Sequence, residues 1–204
     1  MDRRQTGVID AAKANGDMAR EGLDLLRERV GDYCRATWLR DSAWSFLAIS
    51  GGTVTGAAIG LQLETDDRTY ILDALGNSHA SNGDVARVLE DLSHDVPAGD
   101  LFALAVSPQF RGRGIGTALI ERRLQAFSEA GFAYGIAESW VNSEDANSAS
   151  LYRRLGFVEL GFVPEYWKSE DEGSPSEDRR GCPVCGSKCV CDALIFAKRL
   201  SPHS

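Results

Sequence analysis

Apolar residues along the chain fall into period-two runs, helical stripes and polar punctuation. Residues 43–49 and 53–64 are two apolar-rich runs on either side of Gly51-Gly52, the pattern of a hairpin. Residues 101–106, Leu-Phe-Ala-Leu-Ala-Val, form an unbroken apolar run closed by Ser107-Pro108 and read as a buried strand. Residues 133–141 and 192–200 are predicted strands as well. Residues 157–167 read as a strand that Gly161 and Pro164 bend or confine to a sheet edge. Residues 69–75 are predicted as one more extended segment. Helical spacing places Met18, Leu23, Leu25, Leu26 and Val30 on one stripe of 17–34, and Val85, Val88, Leu89 and Leu92 on one stripe of 84–92. Two further helices are predicted, 114–130 with a stop at Gly131 and 147–155 with a stop at Gly156. The N-terminal residues suggest a short strand at 7–10 and a helical piece to Asn15, while 76–83 and 169–180 read as polar loops. Strands alternating with helices over 204 residues, with no internal repeat, predict a single α/β domain.

The strand 101–106 runs straight into Arg111-Gly112-Arg113-Gly114-Ile115-Gly116-Thr117 and the helix beyond. Strand, glycine-rich turn and helix start make an anion cradle. The first helical turn has unpaired N–H groups at the positive end of its dipole, and glycines let an oxyanion reach that backbone. Two arginines add charge, so a pyrophosphate is the natural guest. No Gly-Lys-Ser/Thr follows, which excludes a Walker loop, and the spacing is not that of a dinucleotide fingerprint. The bland alternative is a tight strand-to-helix turn with no ligand.

Arg111-x-x-Gly114-x-Gly116 resembles the R/Q-x-x-G-x-G/A motif of the GNAT superfamily of N-acetyltransferases. Downstream, Leu151-Tyr152-Arg153-Arg154-Leu155-Gly156-Phe157 looks like that family's L-Y-x-x-x-G-F segment. The resemblance covers roughly 43–200 and implies the GNAT acyl-CoA N-acyltransferase fold, a central mixed, twisted sheet flanked by helices. Residues 1–42 then form an N-terminal helical segment of the same domain, and 169–191 an insertion between the last two strands. The implied activity is transfer of an acetyl group from acetyl-CoA to a primary amine of a small molecule, a protein N-terminus or a lysine. An alternative is a non-catalytic CoA-binding or zinc-dependent interaction module on the same fold.

The family pattern implies roles for particular residues. The pantetheine arm lies along Leu104 to Val106, and the pyrophosphate on Arg111, Gly112, Arg113, Gly114, Ile115, Gly116 and Thr117. A backbone N–H near Val106 faces the developing oxyanion. Tyr152 stands where the family's general acid stands; its plainer role is packing a helix against the sheet. Relatives often place an asparagine seven residues ahead of that tyrosine. Here Asp145 holds that place and Asn147 comes two residues later, either binding the pantetheine arm or capping its own helix. Many relatives carry a carboxylate on the central strand, where this chain has Phe102, Ala103 and Leu104. Glu138 is the substitute base, with Asp100 and Glu144 behind it; the alternatives are a solvent-facing Glu138 and a water chain with no dedicated base.

Cys182, Cys185, Cys189 and Cys191, four of the five cysteines, fall within ten residues as C-x-x-C-x-x-x-C-x-C. Four thiolates suit a tetrahedral structural Zn2+, which would clip the last hairpin; a redox or regulatory thiol cluster (an iron–sulfur centre among the options) and a metal-free loop are the other readings. Cys34, alone, reads as core. The formal net charge of −8 argues against a nucleic-acid partner. The polar start and the lack of an eighteen-residue apolar run predict no membrane span and a cytoplasmic location. The basic side is arginine apart from Lys13, Lys168, Lys188 and Lys198, a composition shared by salt-adapted and ordinary acidic proteins. Monomer and homodimer both stay open.

Overall fold

A computed structural model describes residues 6–31, 34–76, 83–141, 148–167 and 191–201. Strands β1 (Gly7–Asp10), β2 (Phe46–Ser50), β3 (Thr53–Gln62), β4 (Ala98–Val106), β5 (Tyr134–Val141), β6 (Val158–Val163) and β7 (Asp192–Arg199) form one sheet in the order β1-β2-β3-β4-β5-β7-β6. The β4–β5 pair is parallel and the others are antiparallel, so the sheet is mixed as expected. The predicted hairpin is β2–β3, turning at Gly51-Gly52.

Among the described residues six helices cover the sheet: α1 (Gly16–Val30), α2 (Ala36–Asp41), α3 (Thr65–Leu75), α4 (Gly83–Ser93), α5 (Ile115–Glu129) and α6 (Ala149–Arg154). Side-chain alternation along the strands decides which helix covers which face. Ala57, Ile59, Ala103 and Ala105 pack with Leu23, Leu26 and Leu39 of α1 and α2. Tyr134, Ile136, Ile195 and Ala197 pack with Ile71, Leu75, Val88 and Leu92 of α3 and α4. On the opposite face Leu101, Ala137 and Phe196 meet Ile120, Phe127 and Tyr152 of α5 and α6. Thus α1–α4 lie on one face and α5 and α6 on the other.

Two sequence expectations are corrected. Residues 69–75 are not extended but lie in α3. Their β-branched and aromatic run suggests a strand, yet Asp66 and Asp67 in the first turn favour a helix, Gly76 closes it, and Arg68, Ile71 and Leu75 share its buried stripe. The strand expected over 157–167 ends at Val163, because the chain turns at Pro164 and Glu165, the latter with φ 50°. The short strand expected at 7–10 is β1, which joins the sheet edge by pairing with β2. Helix α2 had no expectation.

The β4–β5 junction depends on close packing. Gly99 and Gly135 are register partners, and a Cβ on Gly99 would stand 2.6 Å from the wholly buried Phe127 ring of α5. A ring at that distance cannot yield without shifting α5. Gly99→Ala is therefore expected to destabilise the fold by about 1–3 kcal/mol in urea unfolding. An unchanged midpoint would mean that α5 is not seated this closely.

Candidate active site

Strands β4 and β5 share rungs only at Ala98/Tyr134, Gly99/Gly135 and Asp100/Ile136. Beyond these, β4 continues to Val106 and β5 to Val141, each still paired on its outer side, to β3 and β7. Twisted strands that are not tied together diverge, which opens a wedge between 101–106 and 137–141. At its apex β4 carries an extra residue. Ile59 faces Ala103 but Leu61 faces Asp100, so Leu101 and Phe102 together oppose Gly60. Such a bulge bends the strand and re-aims its backbone groups. On the wedge side, the backbone of Leu104 to Val106 has no strand partner among the described residues, which leaves its polar groups for a ligand lying along β4.

The cradle sits at the wide end. After β4 the chain makes a short 3-10 turn (Pro108–Phe110) and enters α5 through Gly112 and Gly114, whose φ values are 72° and 82°. A Cβ at either glycine would meet nothing within 4 Å, so the turn opens outward. Gly114 is the N-cap of α5 and offers no side chain to its first-turn amides. Those of Ile115, Gly116 and Thr117 therefore remain free of a side-chain cap, and they fit a pyrophosphate. Leu104 and Val106 lie against Gly116, with Cδ2 and Cγ2 each 3.9 Å from its ideal Cβ position. Arg111 Nε donates to the Val106 carbonyl at 3.4 Å, and Arg113 Nη2 to the Gln109 carbonyl at 3.0 Å, with its guanidinium 5.0 Å above the Phe110 ring. Both arginines stay exposed at the mouth.

Tyr152 approaches the wedge from the α5/α6 face. It is buried, packed against Phe157 (5.0 Å) and Phe196 (5.5 Å), and its hydroxyl is hydrogen-bonded to Ser148. Ser148 in turn donates to Ser139 of β5 at 3.0 Å. Burial pushes the phenol above its ordinary pKa, Asp100 and Glu138 push the same way, and Arg123 and the Ser148 hydrogen bond oppose them. Glu138, between Ala137 and Ser139 on β5, points to the other face. It is half-buried and accepts a 2.8 Å hydrogen bond from the Tyr166 hydroxyl. Tyr166 is itself held by Tyr70, whose hydroxyl donates to the Tyr166 carbonyl while the rings lie 5.0 Å apart. Glu138 therefore does not simply face solvent.

The fold thus brings Tyr152, Glu138 and Asp100 to one opening beside the cradle. Phe102 serves packing, edge-on to Trp38 of α2 at 5.0 Å. Asn147, Glu144, Cys182, Cys185 and Cys189 lie outside the described residues. Cys191 is described and buried, against Trp140 and Trp167; among the described residues no group of three or more His, Cys, Asp or Glu is placed to hold a metal. Cys34 is core, and burial pushes its thiol up to about 11. No described helix is long and apolar enough to cross a membrane. Sequence reasoning missed Tyr166 and Arg123. Tyr166 gave no local signal. Arg123 did, since it stands four residues from both Leu119 and Phe127 on the apolar stripe of α5.

A sheet that parts at its parallel pair, with an uncapped helix start at the mouth, defines a mixed α/β architecture. A family profile described as "Acetyltransferase (GNAT) domain" matches residues 46–159, and the chain belongs to that family. It is 31% identical over 86 residues to an N-alpha-acetyltransferase of Sulfurisphaera tokodaii, covering 41% of this chain and 50% of that one. It is 32% identical over 73 residues to the [ribosomal protein bS18]-alanine N-acetyltransferase of Escherichia coli K12, covering 35% and 47%. Among curated relatives the matched part spans between 24% and 59% of the other protein's length. The crystal structure of the Escherichia coli ribosomal-protein-S18-alanine N-acetyltransferase has the same fold, with TM-score 0.56 and 18% identity over 98% of this chain and 97% of that one.

Proposed function

We propose that the protein transfers an acetyl group from acetyl-CoA to a primary amine, with a peptide α-amino group as the favoured acceptor class. The observation that carries the reading is the placement of Tyr152 and Glu138 on opposite faces of one opening, beside the cradle. The amides from Arg111 to Thr117 hold the pyrophosphate, and the backbone of Leu104 and Val106 holds the pantetheine arm, with Asn147 as a further contact for that arm. This fixes the thioester carbonyl in the wedge, where a β4 N–H near Val106 faces the developing oxyanion. Glu138 takes the proton of the attacking amine from one face. Tyr152 gives its proton to the departing sulfur from the other.

The named relatives above act on α-amino groups, which supports that acceptor class. So does acidity: an α-amine with a pKa near 8 is substantially neutral at physiological pH, whereas a lysine amine near 10.4 is not. The reading needs no nucleic acid and no membrane, and the cytoplasm, where acyl-CoA thioesters are made, is its natural setting. We include a structural Zn2+ on Cys182, Cys185, Cys189 and Cys191, supported by the clustering of four thiols within ten residues of the sequence.

The test is thiol release from acetyl-CoA by the full chain with three acceptors: a peptide with a free N-terminal alanine, an N-blocked lysine peptide, and agmatine. The alanine peptide is expected to turn over fastest, and Glu138→Gln to lower its kcat by about 10–100-fold. Thiol release with none of the three, despite intact acetyl-CoA binding, would overturn the transferase reading. Metal analysis of the same preparation is expected to give about one zinc per chain; metal-free protein removes the clip from the reading.

A further inference from the structure

Among the described residues Arg123 is the largest wholly buried side chain, and no role assigned above uses it. Its Nη1 donates to the carbonyls of Ile59 (3.0 Å) and Ala103 (3.1 Å), the register partners beside the β4 bulge, and its Nε to Leu119 at 3.3 Å. Nη2 is buried without a hydrogen-bond partner. Its electrostatic neighbours are Tyr152 and Asp100, at the same opening. Burying a guanidinium with one nitrogen unsatisfied is costly, and an apolar side chain of similar size would fill the same space without that cost. Packing alone does not account for it.

We propose that Arg123 is a positioning residue for the transfer step, resting on the general-acid reading of Tyr152. Its guanidinium is the fixed counter-charge for the Tyr152 phenolate, and it ties down the β4 bulge at the apex of the wedge. In the step itself a C–N bond forms, the amine's N–H proton passes to the Glu138 carboxylate, and the C–S bond breaks. The sulfur leaves with the bonding pair and takes the phenolic proton, so the negative charge passes to the Tyr152 oxygen, which regains a proton from solvent after product release. A phenolate formed in a buried, apolar setting is strongly disfavoured unless a cation is already in place. Arg123 supplies that cation. Burial lowers its pKa to about 10, so it remains protonated throughout the neutral range.

The experiment is a double-mutant cycle on the full chain, reading acetyl transfer to the alanine peptide, or acetyl-CoA hydrolysis where no acceptor turns over. Arg123→Gln keeps an amide donor for the bulge carbonyls and removes the charge. It is expected to lower kcat by about 10–100-fold with KM for acetyl-CoA within about twofold of wild type, and to change kcat less than about twofold in a Tyr152→Phe background. Arg123→Lys retains a cation of lower pKa than the guanidinium. Near pH 6.5 it is expected to stay within about fivefold of wild type, then to lose kcat as pH rises through the lysine ionisation while wild type holds. Should Arg123→Gln fail to fold, this pH profile decides alone. Equal losses from Arg123→Gln in both backgrounds, or a pH-independent loss in Arg123→Lys, would overturn the assignment while leaving Tyr152 as the acid. No loss from Tyr152→Phe by itself would instead overturn the general-acid reading.

Discussion

Replacing Tyr152 by phenylalanine is expected to lower kcat for acetyl transfer by about 100-fold or more and to leave acetyl-CoA affinity within about twofold. The substitution is well suited to the question because the ring is already held between Phe157 and Phe196. Only the hydroxyl and its hydrogen bond to Ser148 disappear. The direction of the phenol's pKa fixes the pH behaviour. Burial raises it, so the proton stays on oxygen until pH rises past that raised value, and the acid form is present across the neutral range. An alkaline fall in wild-type activity below about pH 10 would then belong to another group. The deficit is also expected to shrink with an acyl donor whose thiol is more acidic, since a better leaving group needs less proton donation. Unchanged kcat would return Tyr152 to a packing role.

The second large effect is expected at the cradle. Gly114→Asp should weaken acetyl-CoA binding by about 100-fold or more in calorimetric titration, and Gly114→Asn by about tenfold, a gap of about 1.4 kcal/mol for one negative charge. Both side chains face the same backbone demand, φ 82° and ψ 1°, which Asn and Asp meet better than other non-glycine residues, and both extend into open space. The pair therefore isolates charge from shape. The new carboxylate would cap the first-turn amides of α5 that the pyrophosphate needs, and a helix start welcomes an anion. Thermal stability should accordingly be no lower in Gly114→Asp than in Gly114→Asn, although binding is weaker. Equal affinity in the two variants would show that no phosphate group approaches Gly114.

The parts of the site legible in the sequence were those built from consecutive residues. The run from Leu101 to Thr117 carries strand, turn glycines and helix start in one stretch, and Leu151 to Phe157 carries the tyrosine with its helix stop. Glu138 could be singled out as a carboxylate inside an apolar strand, but its partner could not. Tyr166 is brought to it by the β5–β7–β6 pairing, a contact with no local trace. Residues 69–75 misled because a β-branched and aromatic run outweighed the acidic first turn and the buried stripe it completes. Arg123 broke the apolar stripe of α5 visibly, yet only the bulge it serves explains a charge there. The opening itself was beyond reach, because the ladder's end after Asp100 depends on how twist accumulates across the two halves of the sheet.

That short ladder bears on how the chain assembles. Strands β1 to β4 are neighbours in both sequence and space, and every pairing among them is antiparallel. Strands β5, β7 and β6 close on one another separately, and a crossover through α5 brings β5 to β4 for three rungs. A strand can pair only after it has been made, and the chain is made from its N-terminus. During synthesis the N-terminal leaf can therefore gather before the C-terminal leaf has emerged. The opening where chemistry is proposed is the seam between an early-forming half and a late-forming one.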